Sequence, residues 1–232
     1  MQRIGLVAAV LMTVAAGAHA SERTTAEPPT EPPSLSVLFF GNSHLIAHNV
    51  PRRVGLRLQK HVAGRRSVLT RRIGFNGARL SQFIDRPSVK AVLAERRWDV
   101  IVLQEATASF LTPALRLQFH RALRWFRRSA SASTRIVLFQ TWAWQDHHRY
   151  FRKDLVGGPR DQNSFWRLID AEYRSVEADD RLAIAPVGKC WLDAARVRRL
   201  FSRDGNHATL AGSDYAARII ADTIASPTRV RC

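Results

Sequence analysis

The sequence predicts an α/β protein built on a doubly wound sheet of about five parallel strands with helices on both faces. Two observations predict it. Short, continuous apolar runs recur along the chain, as expected of parallel strands covered on both sides. Between them lie longer segments whose apolar residues return every three or four positions, the spacing of an amphipathic helix. Strands alternating with helices imply βαβ crossovers and hence a parallel sheet.

Taken in order, the chain begins with a positive stretch, Met1-Gln2-Arg3, an apolar run from Ile4 to Ala16, and the small-x-small triplet Ala18-His19-Ala20. That order reads as a secretory signal peptide over residues 1–20, so the mature protein is expected to be periplasmic or secreted. The apolar run falls short of the ~20 residues that span a bilayer, and no cysteine near Ala20 suggests a lipid anchor. Residues 21–34, SERTTAEPPTEPPS, are polar and Pro-rich and read as a flexible linker, leaving 35–232 as one domain.

Within that domain Leu35–Phe40, Val68–Ile73, Val100–Leu103, Ile136–Phe139 and Leu182–Val187 read as strands. Residues 51–63 put Val54, Leu58 and Val62 on one helical face. Residues 113–128 do the same with Leu115, Phe119, Leu123 and Phe126, and residues 163–178 with Phe165, Leu168, Ile169 and Val176. A last helix from about Leu210 carries Tyr215, Ile219, Ile220 and Ile224. Such an alternation suggests a flavodoxin-like sheet, in which ligands bind beyond the carboxyl ends of the strands. The residues that follow each strand are therefore where function is sought.

The balance of 36 basic against 19 acidic side chains gives a net charge of +17. Thirty-two of the basic residues are arginines, scattered rather than clustered. A field of that sign attracts anionic polymers such as lipopolysaccharide, acidic glycans or phospholipid headgroups, although an Arg-for-Lys bias from a GC-rich genome yields the same composition with no partner. No nucleic-acid-binding motif and no interleaving of aromatic with basic residues points to a specific nucleic-acid partner. Two cysteines remain, Cys190 and Cys232. In an oxidising compartment they are expected to pair and pin the tail; the alternative is a buried Cys190 and a free terminal thiol.

The first strand is followed by Gly41-Asn42-Ser43-His44. A serine placed there stands at the upper edge of the sheet, before a helix N-terminus and near backbone N–H groups. Taken alone the triplet is equally a turn or a helix cap. Near the other end, Asp204-Gly205-Asn206-His207 precedes the last helix, with Thr209, Gly212 and Tyr215 after it. An Asp and a His three residues apart in one loop can hydrogen-bond, fixing the imidazole tautomer while the other ring nitrogen faces a serine.

Together these motifs resemble the SGNH hydrolase superfamily, whose nucleophilic serine follows the first strand in a Gly-Asp-Ser motif and whose Asp-x-x-His lies near the C-terminus. The resemblance runs from about Leu35 to Ile224. It implies a serine esterase or deacylase with Ser43, His207 and Asp204 as the triad. Gly77, in Asn76-Gly77-Ala78-Arg79-Leu80, matches the family's oxyanion-hole glycine. Two departures stand out: Asn42 replaces the usual Asp, and the family's Gly-x-Asn-Asp block gives way to Leu103-Gln104-Glu105. In this the sequence looks like a bacterial SGNH branch with a GNS motif and a Leu-Gln-Glu block. A Gln amide can donate to an oxyanion as an Asn amide does, so Gln104 is expected to join the Ser43 and Gly77 N–H groups in the oxyanion hole.

The expected substrate is an acyl ester, with O-acetyl or acyl groups on an envelope carbohydrate among the candidates, and no cofactor is required. His44, His48, Trp142 and Trp144 are candidate substrate contacts, each equally readable as a packing or surface residue. Asp146-His147-His148 gives no third ligand, so no metal is expected. The same triad would also serve an O-acyltransferase, and an idle triad would leave a basic envelope- or carbohydrate-binding module.

Overall fold

A computed structural model describes residues 34–62, 66–151, 158–176, 181–226, 230 and 232. The expected signal peptide and all of the expected linker except Ser34 lie outside the described residues.

Five strands, β1 (Leu35–Gly41), β2 (Val68–Gly74), β3 (Val100–Gln104), β4 (Arg135–Phe139) and β5 (Leu182–Ala185), form one sheet in the order β2-β1-β3-β4-β5. Every neighbouring pair is parallel. This is the flavodoxin-like order, and its direction of winding reverses between β1 and β3. Val37 lies opposite Val100 and Phe40 opposite Leu103, so the carboxyl ends of the two strands are level. The crevice at that point is where such a sheet holds its ligand.

Seven helices accompany the sheet among the described residues: α1 (Ser43–Ile46), α2 (Val50–His61), α3 (Pro87–Glu95), α4 (Pro113–Ser129), α5 (Gln162–Arg174), α6 (Val187–Ala194) and α7 (Leu210–Ala225). Alternate strand residues serve two cores. Val37, Phe39, Val102, Val137 and Phe139 pack with α2, α6 and α7, while Leu38, Phe40, Leu103 and Leu138 pack with α3, α4 and α5. Burial on both faces is why the central strands read as unbroken apolar runs. At the edge, β2 has β1 as its one partner, and Arg71 and Arg72 point to solvent.

The structure differs from the sequence reading at a few boundaries. The run beginning at Leu182 leaves the sheet after Ala185, because Pro186 has no N–H for the ladder and Val187 opens α6. The helix expected over 163–178 ends at Arg174. Helix α3 escaped the periodicity because it buries only Val89 and Val92, and α6 because its apolar residues merge with those of β5. Cys190 and Cys232 are bonded, with Cα atoms 4.9 Å apart. The carbonyls of both cysteines accept from Tyr215 Oη, at 3.2 and 3.3 Å, so the chain end is held against α6 and α7.

Candidate active site

At the end of β1 the chain has to pass very close to β3. A Cβ on Gly41 would lie 2.5 Å from Gln104 Oε1, so only glycine fits. The next residue, Asn42, caps α1: its Oδ1 accepts from His44 N at 3.1 Å while its Nδ2 donates to Ala78 O at 3.0 Å. An aspartate would cap as well but has no hydrogen to give Ala78. The Asn at this position thus ties the serine turn to the loop after β2.

Ser43 is the first residue of α1, and its Oγ lies 3.0 Å from His207 Nε2. The imidazole arrives from the loop before α7. Asp204 shapes that loop, accepting through Oδ1 from the backbone N–H groups of Asn206 and His207, both at 3.0 Å. Its Oδ2 accepts from His207 Nδ1 at 2.5 Å. Partial burial works to raise the Asp204 pKa. The His207 ring and the two backbone donors outweigh it and hold the carboxyl at about 2. An ionised carboxylate keeps the proton on Nδ1, which leaves Nε2 to accept the Ser43 hydroxyl hydrogen. Gly205 turns the loop with a φ of +68°, and a Cβ there would come within 3.0 Å of His147 Nε2.

Beneath the pair lies an aromatic floor. His44 stacks on Trp142 with centroids 4.4 Å apart, and Trp142 stacks on Trp191 at 3.8 Å. His44 Nε2 lies 3.1 Å from Asn206 Oδ1 and Nδ1 lies 3.3 Å from Thr141 Oγ1, so both ring nitrogens are engaged. Burial lowers its pKa to about 4 against the opposing Asn206 hydrogen bond, and nearby His207 lowers it further. His44 is therefore neutral at ordinary pH, and its ring lies edge-on to that of His207 at 5.9 Å.

The two segments that close the site opposite His207 follow β2 and β3. Gly77 sits in a turn closed by Ala78 N donating to Phe75 O at 3.1 Å, and its φ of +73° is the left-handed value that favours glycine. Gln104 is not where the sequence reading put it. Its Oε1 accepts from Asn42 N at 2.8 Å and its Nε2 donates to Glu105 O at 2.6 Å; it is wholly buried and does not line the pocket. The amide is a strut between the β1 and β3 ends rather than an oxyanion donor.

Glu105, which the sequence reading passed over, extends that strut. Its Oε1 accepts from Ala106 N at 2.7 Å and Ser109 Oγ at 2.8 Å, and its Oε2 from Leu80 N at 3.2 Å. Gln104 and Glu105 together therefore fix the three loops that carry Asn42, Leu80 and Ala106. Burial pushes the Glu105 carboxyl up to about 7, against those three donors and the Arg79 charge. The sign of the consequence follows from linkage. The folded state keeps a proton that the unfolded chain loses above its ordinary value of 4.5, so stability falls as pH rises from 4.5 to 7 and then levels off. In Glu105→Gln an NH2 group replaces one accepting oxygen and faces a backbone or hydroxyl donor, which costs about 1–3 kcal/mol. Urea unfolding of both proteins at pH 4.5 and 8 checks this: the wild type should lose stability between the two and the variant should lose less. Parallel losses would show that this carboxyl is not the titrating group.

Two cavities open at the surface of this region. One, of about 130 Å³, is lined by Asn42, Ser43, His44, Gly77, Ala106, Thr107, Ala108, Trp144 and Asn206. A larger one, of about 470 Å³, shares Asn206 with the first and is lined besides by His207, Asp204, His147, His148, Arg149 and Arg203. Of the expected substrate contacts, His44 and Trp144 line the smaller cavity. Trp142 does not, because it is completely buried between His44 and Trp191. His48 does not either. It is exposed on the left-handed turn before α2, where its carbonyl accepts from Arg53 Nε at 2.6 Å. Asn206, shared by both cavities, stood inside the quoted Asp204–His207 motif, and only its position beside the histidine signalled it. Asp146 accepts from Gln162 N, at the start of α5, at 2.7 Å, and His147 Nε2 lies 3.2 Å from Arg203 O.

No protein-family model matches the sequence, and no curated relative does. Solved structures do match the fold. A protein of Slackia heliotrinireducens described as an SGNH hydrolase superposes with a TM-score of 0.67 at 23% identity, covering 82% of this chain and 99% of its own. A DUF4886 family protein from Bacteroides uniformis gives 0.64 at 17% identity, over 84% of each chain. An acetyl-xylooligosaccharide esterase from Geobacillus gives 0.60 at 11% identity, over 88% of this chain and all of its own. The fold of the chain is the SGNH hydrolase fold, as the two motifs and the alternation of elements imply.

Proposed function

We propose that the protein is a serine esterase that hydrolyses short acyl esters through an acyl-enzyme. The observation that carries this reading is the unbroken line from Asp204 through His207 to Ser43, with contacts of 2.5 and 3.0 Å, at the carboxyl edge of an SGNH-type sheet. His207 Nε2 takes the Ser43 proton as Oγ bonds to the ester carbonyl carbon. The oxyanion so formed is received by the backbone N–H groups of Ser43 and Gly77, two residues that line the smaller cavity. Collapse of the intermediate breaks the bond to the alcohol oxygen, which leaves with the proton from His207. Water then enters by the same base and releases the acid.

The size of the cavity beside Ser43 supports a short acyl group. The cavity measures about 130 Å³, room enough beside Ser43 for a short acyl group. Export is supported by the leader-like N-terminus and by a disulfide, which persists in oxidising compartments. A fluorophosphonate reagent tests the reading. One phosphonyl group should attach to the peptide carrying Ser43, detected by mass spectrometry, and prior unfolding should prevent it. A folded protein left unlabelled would point to an idle triad and remove the proposal.

A further inference from the structure

Resting on that reading, we infer that the alcohol half of the substrate carries a negative charge, so that the enzyme takes short acyl esters of anionic alcohols such as acidic sugars. The division of the site into two cavities carries the argument. The acyl carbonyl has to lie beside Ser43 and Gly77, in the smaller one. The alcohol oxygen receives its proton from His207 Nε2, so the rest of the alcohol extends to the His207 side, over the larger cavity.

The wall of that larger cavity is cationic. Arg149 and Arg203 both line it and are both exposed, and among the described residues neither has a carboxylate partner. The acid on the same wall is Asp204, already committed to His207 and two backbone donors. His147 and His148 complete the rim. Burial lowers the His148 pKa, and the Arg149 charge beside it lowers it further. Two guanidinium groups flanking the leaving-group side favour a carboxylate there, because the fork of an arginine matches its two oxygens. The overall charge of +17 reinforces the approach of such a substrate but does not by itself select this side of the site.

Two acetyl esters with similar leaving groups, 4-acetoxybenzoate and 4-acetoxybenzamide, test the inference at low and high salt. The carboxylate ester should show a kcat/KM about tenfold higher at low ionic strength, and 0.5 M salt should shrink that ratio, since exposed charges are screened. In an Arg149→Ala/Arg203→Ala double variant the ratio should fall toward one, with the benzamide rate in the same sample serving as the internal reference. A wild-type ratio near one, or a ratio that survives the double substitution, would overturn the inference while leaving an esterase. Turnover of neither ester, together with no fluorophosphonate label, would instead bring down the reading on which it rests.

Discussion

Ser43→Ala is expected to lower kcat for an acetyl ester by a factor on the order of 10⁶, because among the described residues Ser43 Oγ is the hydroxyl that meets His207 Nε2. The substitution removes a single oxygen whose one hydrogen bond is the 3.0 Å contact to His207. Asn42 still caps α1 and still donates to Ala78, so the turn, the cavity and the Gly77 N–H keep their places. The variant should therefore unfold at nearly the wild-type urea midpoint while losing both turnover and the fluorophosphonate label. What survives should be the rate that oxyanion contacts and binding supply alone, about 10³-fold over water. A variant that hydrolyses p-nitrophenyl acetate at the wild-type rate would show that the chemistry lies elsewhere.

Asp204→Asn should cost about 10⁴-fold in kcat through the tautomer of His207 rather than through packing. The Asn oxygen can still accept from the N–H groups of residues 206 and 207, which preserves the loop. Its NH2, however, now faces Nδ1 and donates to it. The ring proton moves to Nε2, where it points at the serine and cannot take another. Combining this change with Ser43→Ala should add almost nothing to the loss from Ser43→Ala alone, as expected of the proposed triad acting as a unit. The wild-type carboxyl, held at about 2 against an ordinary 3.8, supports His207 at all pH values above that range and stops doing so only as pH falls toward 2. Acid inactivation near pH 4 to 5 would thus have a different origin. A fully additive double variant would refute the coupling.

The fold was largely legible because burial on both sheet faces writes a distinctive pattern: four of the five strand segments are apolar almost throughout. The meeting of Ser43 with His207 was legible for a related reason. An Asp and a His three residues apart need only one turn to bond, and a post-strand serine has only one edge of the sheet to occupy. Gln104 shows where such reasoning stops. A glutamine at a strand end can serve as a donor to a ligand or as a brace between chains. The choice depends on Asn42 N being 2.8 Å away, a proximity created by strand pairing 62 residues apart in sequence. Trp142 and Trp144 illustrate the same limit. They lie two apart in a segment without regular structure, where neither a period of two nor one of 3.6 applies. One ring goes under His44 and the other reaches the cavity wall. Glu105 was visible as an acid directly after an apolar strand, a position where a charge needs partners to be tolerated.

The bond between Cys190 and Cys232, 42 positions apart, has a consequence beyond anchoring the tail. Asp204, Asn206, His207 and the whole of α7 lie between those cysteines, so the proposed acid and base ride on a covalent hoop, while Ser43 belongs to the open remainder of the chain. Closing a hoop of that circumference disfavours the unfolded chain by about 4 kcal/mol. A reductant would cut it without touching Ser43, Asp204 or His207, leaving the loop that carries the Asp–His pair to be kept in register by packing alone.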